Sequence, residues 1–253
     1  RRLASPPHPY VIEPPEDEQT QYHRGDSFDF NLLLFGRAND YLPYFIFAFE
    51  QIGAFGIGKG VGGKRPTFLL TSVRSGDRVV YEAEERKILE GDFTQPLKIE
   101  KQADPAETND DPIRGLHVDL CTPLRLKYEN QFNKAALPFH VLIRAALRRV
   151  SSLFEYYGKG EPVLDYPGLV SRASDVKVAS TAIRWYDWKR YSNRQYQAML
   201  LGGMTGHIEY EGRINEFLPL LRLCEMVHLG KQTAFGLGKI ETKVMGAQTH
   251  IGS

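Results

Sequence analysis

The segment Ala234–Lys239 reads AFGLGK and repeats an earlier segment, Ala54–Lys59, which reads AFGIGK. Upstream, both copies contain an acidic residue, an aromatic residue, Leu-Pro and an apolar run, at residues 40–45 and 216–221. Such similarity in fixed order over about twenty residues indicates a duplicated structural unit. We therefore expect two related domains.

Composition limits the class of protein. A chain of 253 residues can form two domains of ordinary size. Its two cysteines, Cys121 and Cys224, cannot make a disulfide scaffold, which favours a reducing, cytoplasmic location. No apolar run approaches the ~20 residues of a membrane helix, and the start lacks the apolar core of a signal peptide, so no membrane partner is expected.

Charge is distributed unevenly along the chain. The net charge is only +1, but residues 115–253 contain 18 basic and 12 acidic residues, a net of +6. An anionic partner and an ordinary solvated face explain this excess equally well.

The C-terminal half is predicted to form a βαββαβ unit. The apolar patterns predict its elements, in order, at residues 116–121, 138–157, 176–191, 195–210, 214–229 and 234–244. This order is that of the ferredoxin-like, or RRM-like, fold.

The N-terminal half follows the same template incompletely. Its predicted strands are at residues 10–12, 27–35, 67–73 and 78–81, and its helix is at 39–51. The first strand and helix of a ferredoxin-like unit are missing from this order. The predicted fold class is therefore α+β, with tandem ferredoxin-like domains of which the N-terminal one is incomplete. The expected domains are residues 1–99 and 115–253, joined by an acidic linker at 100–114.

The glycine segments have two open interpretations. Residues 58–64 fit the GxxxxGK pattern of a phosphate loop, but that loop needs a strand before it and a helix after it, and here the order is reversed. The glycines could simply end a helix and turn the chain. Alternatively, their bare backbone could let RNA phosphates approach the amides beside neighbouring lysines.

A family resemblance bears on this choice. His228–Lys239, HLGKQTAFGLGK, resembles the C-terminal glycine-rich signature of the RAMP superfamily, and more closely that of the CRISPR precursor-RNA processing endoribonucleases. Residues 8–15, 36–43 and 190–195 are similar to that family as well. The resemblance implies tandem ferredoxin-like domains, a glycine loop that contacts RNA, and metal-independent cleavage of the CRISPR repeat without a cofactor.

Metal-free RNA cleavage needs a base for the 2′-OH, an acid for the leaving 5′-oxygen and cations for the phosphorane, and it leaves a 2′,3′-cyclic phosphate and a 5′-OH. The resemblance implies a base histidine near the first N-terminal helix, an element that is missing from the order predicted above. The candidate catalytic residues are therefore His8, nearest that region, and His228, at a predicted helix end that favours the protonated ring. A loop histidine and a capping histidine are the structural alternatives. The other histidines, apart from His140, form no grouping, and no carboxylate or Cys/His cluster predicts a metal site.

Three segments supply candidate RNA-binding residues. Arg144 and Arg148 form a stripe with His140 on one helix face. Cations alternate with aromatic residues at 184–191, a pattern that can stack unpaired bases. A solvated face and buried tryptophans are the respective alternatives. The full RNA-binding set is Gly230, Lys231, Gln232, Thr233, Gly236, Gly238, Lys239, Arg144, Arg148, Arg190 and Arg194.

The leading hypothesis is a CRISPR-associated endoribonuclease, monomer or homodimer, that cleaves precursor CRISPR RNA within repeats. The alternative is a non-catalytic RNA-binding RAMP subunit, which joins other subunits of a CRISPR effector complex. A third hypothesis is a duplicated fold with no RNA role. Cleavage separates the first two, and salt-dependent RNA affinity separates both from the third.

Overall fold

The computed structural model describes residues 6–15, 19, 21–58, 63–89, 91–99, 113–127, 135–187, 189–192 and 197–245, with backbone only at 189–192 and 197–200. The chain divides into a large unit, residues 1–34 with 98–253, and a small unit, residues 35–97. Residues 1–34 thus group with the large unit rather than with the predicted domain 1–99. The predicted linker at 100–114 lies mostly outside the described residues.

The large unit contains the predicted ferredoxin-like arrangement. Its secondary structure comprises nine strands, three α-helices and two 3-10 turns among the described residues. These are β1 Tyr10–Glu13, β2 Asn31–Leu34, β6 Gly115–Leu124, α2 Phe139–Tyr157, α3 Tyr166–Ala173, β7 Lys177–Thr181, β8 Arg184–Tyr186, β9 Lys189–Ser192, β10 Gln197–Leu200, β11 Gly203–Glu211, a turn at Asn215–Phe217, α4 Leu218–Val227, a turn at Thr233–Phe235 and β12 Ile240–Met245.

The main sheet has the strand order β12-β6-β11-β7, and every neighbouring pair is antiparallel. With α2 after β6 and α4 after β11, this is the ferredoxin-like topology expected from the βαββαβ order. The central strand β6 alternates between buried and partly exposed side chains, as a sheet with one covered face requires.

Two predicted strands are interrupted. The predicted strand 176–191 is β7, β8 and β9, and the predicted strand 195–210 is β10 and β11. At the first break, just after β7, the chain passes close to β11, because a Cβ atom at Gly206 would lie 2.2 Å from the carbonyl oxygen of Ala182. β7 pairs with residues 208–211 of β11, and after the break β8 pairs with residues 203–205 of the same strand.

The helices agree more closely with the sequence patterns. α2 is predicted to within one residue, and its apolar arc is buried. The predicted strand at 234–244 is wrong at its start, because residues 234–239 form a turn and loop, and β12 begins at Ile240. The helix α3 was not predicted. Its signal is Asp165, whose side chain accepts a hydrogen bond from the Gly168 amide at 3.0 Å as an N-cap.

The core of the large unit lies between the sheet and α2 with α4. Phe139 packs edge-to-face on Tyr210 and on Phe217, with ring centroids 4.9 Å and 5.1 Å apart. The hydroxyl of Tyr210 donates to the Leu137 carbonyl at 2.8 Å, which satisfies its polar end inside the core.

The N-terminal hairpin belongs to this unit. β1 and β2 pair antiparallel, with Glu13 opposite Asn31. β1 also contacts the 3-10 turn Thr233–Phe235, which is part of the second glycine segment. The hairpin therefore lies against that segment.

The small unit contains one helix and one sheet. Its elements are a 3-10 turn at Gly36–Tyr41, α1 Leu42–Phe55, β3 Ser72–Ser75, β4 Arg78–Glu82 and β5 Lys87–Ile88. The strands form a three-stranded antiparallel sheet in the order β3-β4-β5. Residues 67–71, predicted as strand, are not part of it.

The first glycine segment ends α1. Gly56 has a φ of +80°, and its amide donates to the Ile52 carbonyl at 2.9 Å. A Cβ atom at Gly53 would lie 2.4 Å from the carbonyl oxygen of Phe68, so the returning chain passes close to the helix. This copy therefore fixes a helix-to-strand turn, as the structural interpretation predicts. No helix in the described part of the chain is long and apolar enough to cross a membrane.

Candidate nucleic-acid interface

The second glycine segment forms a loop between α4 and β12. After α4 ends, the backbone takes a positive φ at His228 and Gln232 as well as at Gly230, Gly236 and Gly238. Five such residues within eleven make a compact loop that few other sequences could follow, because a Cβ atom disfavours this region.

The glycines of this loop are required by packing. A Cβ atom at Gly238 would lie 1.8 Å from the Leu229 carbonyl oxygen, and one at Gly230 would lie 2.6 Å from that of Arg125. At Gly236 it would meet the Ile12 carbonyl oxygen of the hairpin at 2.7 Å. The structural interpretation of the glycines is therefore supported at all three positions.

The loop amides are largely occupied within the protein. Those of Gly236 and Gly238 donate to the carbonyls of Thr233 and Pro123 at 2.9 Å and 3.2 Å. The amide of Lys239 donates to the Thr122 hydroxyl at 2.9 Å. These bonds argue against phosphate binding by the amides of Gly236, Gly238 and Lys239.

The predicted loop residues differ in exposure. Lys231 and Gly230 are exposed, whereas Gln232 and Lys239 are partly exposed. The remaining members, Thr233, Gly236 and Gly238, are buried. Among these predicted residues, the exposed ones are thus Gly230 and Lys231 in the first turn of the loop.

His228 is fully buried. Its Nε2 lies 2.7 Å from Oε1 of Glu13, and its Nδ1 lies 3.1 Å from the carbonyl oxygen of Leu237. Both ring nitrogens face acceptors, so the protonated ring satisfies both contacts. His228 therefore ties the loop to the hairpin, which agrees with the structural alternative and does not place the ring where a substrate could reach it.

Glu13 is the anionic centre of this contact. It also accepts from Nδ2 of Asn31 at 2.9 Å and lies 3.5 Å from Nζ of Lys239. The hydrogen bond from His228 is the largest influence, and with Asn31 and Lys239 it outweighs burial and lowers the pKa of Glu13 to about 2. We call Glu13, His228, Asn31 and Lys239 the loop clasp.

A buried arginine completes the helix end before the loop. Nε and an Nη atom of Arg149 donate to the carbonyl of Val227 at 3.0 Å and 2.8 Å. This caps the C-terminus of α4, where a cation is favoured. Burial lowers the pKa of Arg149 to about 10. This role could not be predicted from the sequence, since Arg149 directly follows the exposed Arg148 and the two together read as a basic pair.

The other predicted cations are distributed over different elements. Arg144 and Arg148 are exposed on α2, as the stripe predicts. The pKa of His140 is lowered by its burial and, to a smaller extent, by the positive charge of Arg144. Arg190 lies in β9, whose side chains are not described, and Arg194 falls outside the described residues. Their contact with RNA stays a prediction.

A cation–aromatic pair lies beside the loop. The carbonyl oxygen of Arg125 accepts a hydrogen bond from the Lys231 amide at 3.1 Å. The guanidinium of Arg125 lies 5.9 Å from the ring centre of Trp185. Nε1 of Trp185 donates to Asp187 at 2.8 Å, which fixes the ring. Through Arg125, Trp185 therefore lies next to the exposed first turn of the loop.

The structure also groups histidines that the sequence analysis left ungrouped. On the outer face of the sheet, the rings of His117 and His207 stack with centroids 5.1 Å apart. His117 lies 3.1 Å from Asp119 and 3.3 Å from Glu209. Burial lowers the pKa of His117, but the bonds to both carboxylates outweigh it, and the net effect is a raised pKa. The carboxylates balance the local charge, so this cluster adds little attraction for phosphate.

His8, the other catalytic candidate, is exposed in the segment before β1. Its ring lies 5.7 Å from that of Tyr10. This ring contact does not test catalysis, so a catalytic role for His8 stays a prediction.

Residues 118–240 match the family model for the CRISPR-associated endoribonuclease Cas6, and residues 1–93 match a family described as an N-terminal domain. No curated protein matches the chain significantly. The family match confirms the resemblance found in the glycine-rich signature.

Solved structures share the fold. A partial Cas6-RT-Cas1–Cas2 complex is 15% identical with a TM-score of 0.59 and covers 96% of this chain, which spans only 40% of that one. A Thermus thermophilus Cas6 in a product complex is 13% identical with a TM-score of 0.50, and 94% of this chain covers 84% of it. At these identities the likeness bears on the fold, and it confirms the predicted α+β, ferredoxin-like class.

Proposed function

From the match of residues 118–240 to the Cas6 family model, we propose that this protein binds precursor CRISPR RNA and cleaves it within the repeat. The observation that carries the proposal is the family match over the segment that contains the glycine loop. The domain is α+β and ferredoxin-like, an architecture whose loops and sheet edges suit an extended polyanion.

In this proposal the RNA backbone follows the exposed turn of the loop. The Lys231 ammonium is the first contact, and Arg125 with Trp185 offers a cation and an aromatic face next to it. The exposed arginines of α2, Arg144 and Arg148, extend the positive surface. The loop clasp acts as a positioning device that keeps this turn in place, since its buried ion pair joins the loop to the hairpin.

The proposed chemistry is attack of a 2′-OH on the adjacent phosphate without a metal ion. A base removes the 2′-OH proton, an acid protonates the leaving 5′-oxygen, and the products are a 2′,3′-cyclic phosphate and a 5′-OH. We assign His8 as the candidate for the base or acid, because its imidazole is exposed and histidine is the side chain most often used for proton transfer in catalysis. The proposed partners are RNA and other CRISPR-associated proteins, with the chain as a monomer or homodimer.

The second candidate is a non-catalytic RNA-binding subunit of a CRISPR effector complex. The burial of His228 favours it, because the histidine nearest the loop is committed to the clasp. Binding without cleavage would distinguish this function from the first.

The test incubates the protein with its CRISPR repeat RNA in EDTA and maps the product ends. One cut that leaves a 2′,3′-cyclic phosphate, lost in His8→Ala and kept in the control His23→Ala, supports the endoribonuclease. His23 is an exposed histidine between the strands of the same hairpin. Binding without a cut selects the RNA-binding subunit, and no binding at low salt refutes both functions.

A further inference from the structure

The small unit contains a cavity of about 500 Å³. This volume is within the range of small-ligand sites. Helix α1 supplies one wall, and β4, β5 and the turn between them supply the other. The lining residues are Pro43, Ile46, Phe47, Glu50, Gln51, Tyr81, Arg86 and Ile88.

The α1 wall combines an aromatic face with polar groups. Its residues follow a spacing of three and four, so Phe47 and Glu50 lie on one side of the helix. Phe47 is 60% exposed, although it belongs to a helix of high apolar content. An exposed large aromatic side chain at the edge of a cavity is typical of a binding surface.

The Glu50 carboxylate is held in place. Tyr81, which is only 5% exposed, donates its hydroxyl to Oε1 of Glu50. The second oxygen, Oε2, accepts no hydrogen bond from the described residues. The carboxylate is therefore fixed by one oxygen and has acceptor capacity left for a ligand.

The opposite wall supplies a cation. Arg86 has a φ of +49°, a conformation that non-glycine residues seldom adopt and that tends to mark binding sites. Its guanidinium acts electrostatically on the Tyr81 hydroxyl, and no ion pair joins it to a carboxylate among the described residues of the small unit. A fixed acceptor and a cation thus line the same cavity as the aromatic ring.

We propose that this cavity binds an unpaired guanine of the RNA. The base stacks on Phe47, and Glu50 accepts from its N1–H and exocyclic amino group. Arg86 donates to O6 and N7 or to the adjoining phosphate. Guanine has two adjacent donors, N1–H and the exocyclic amino group, and two acceptors, O6 and N7, on the neighbouring edge. No other RNA base has this combination of donors and acceptors. The inference rests on the proposed RNA function, and a free guanine nucleotide is the other source of the same chemistry.

The test measures the affinity of labelled single-stranded RNA that is all uridine or contains one guanosine, with the whole protein. Wild type should prefer the guanosine RNA by roughly fivefold to a hundredfold, the range of a good bidentate contact. Glu50→Gln keeps an acceptor for Tyr81 and should lose the preference, whereas Glu84→Gln, an exposed control in the same unit, should keep it. Phe47→Ala should weaken binding of both RNAs by roughly fivefold or more.

The outcomes separate the site from the proposed function. Equal guanosine preference in wild type and in a folded Glu50→Gln overturns the site and leaves RNA binding intact. If the protein has no affinity for any RNA, the proposed function is refuted, and RNA is not the source of the guanine. In that case, calorimetric titration with guanosine 5′-monophosphate retains the site for a free nucleotide only if wild type binds it and Glu50→Gln does not.

Discussion

Substituting Glu13 tests whether the loop clasp stabilises the large unit. Glu13→Gln keeps the size of the side chain and removes the negative charge that faces His228 and Lys239. The buried imidazole then loses its ionic partner, which is a costly loss in a site without solvent.

The magnitude follows from the ionisation of Glu13. Its pKa is lowered from 4.5 to about 2, which corresponds to roughly 3 kcal/mol of folding free energy at neutral pH. Because the pKa is lowered in the folded state, this stability is present above pH 4.5 and is lost as pH falls toward 2. Glu13→Gln should therefore lower the free energy of unfolding by about 3 kcal/mol at pH 7 and by much less near pH 2.

Urea unfolding followed by tryptophan fluorescence measures this directly. Both tryptophans, Trp185 and Trp188, lie in the large unit, so their emission reports on the unit that contains the clasp. Glu211→Gln, which removes an exposed carboxylate from the same unit, should change the stability by less than about 0.5 kcal/mol. The reasoning would be refuted if Glu13→Gln had the same free energy of unfolding as wild type at pH 7. It would also be refuted if the substitution lowered that free energy equally at pH 7 and near pH 2.

Two further substitutions test the loop. Lys231→Ala should weaken RNA binding and reduce the slope of log K against log salt by about one, as fluorescence anisotropy across a potassium chloride series would show, while Lys159→Ala should not. Gly238→Ala should destabilise the large unit by roughly 3 kcal/mol or more, because its Cβ atom would overlap the Leu229 carbonyl oxygen. Gly160→Ala also has a positive φ but meets no atom within 4 Å, so its cost in the same urea assay should be about 1 kcal/mol. Equal costs for the two glycines would contradict the packing argument.

The ferredoxin-like arrangement could be predicted because its signals are local. The apolar arc of α2 and the alternation of β6 follow the helix and strand periods directly, and both were predicted within a few residues. The break after β7 could not be predicted, since there the Ala182 carbonyl passes close to Gly206 of β11, a residue distant in the sequence. Strand breaks of this kind are set by contacts between strands.

The site was predictable only in part. The sequence identified the loop and named Lys231 as a candidate for RNA contact, but it could not show that the amides of Gly236 and Gly238 have acceptors elsewhere in the fold. His228 is the clearest case, because its partner Glu13 lies 215 residues away and no local pattern links the two. From the sequence, a catalytic histidine and a capping histidine were open alternatives for His228, and the structure shows the ring buried against Glu13.

The clasp also determines when the large unit can finish folding during synthesis. The ribosome releases Glu13 long before His228, and at 5–20 residues per second the 215-residue separation corresponds to roughly ten to forty seconds. Over that interval the hairpin has no loop to join, while residues 35–97 can already form their own helix and sheet. The large unit is therefore a late-folding, high-contact-order body closed by its last strand, and the small unit is the part of the chain that can fold first.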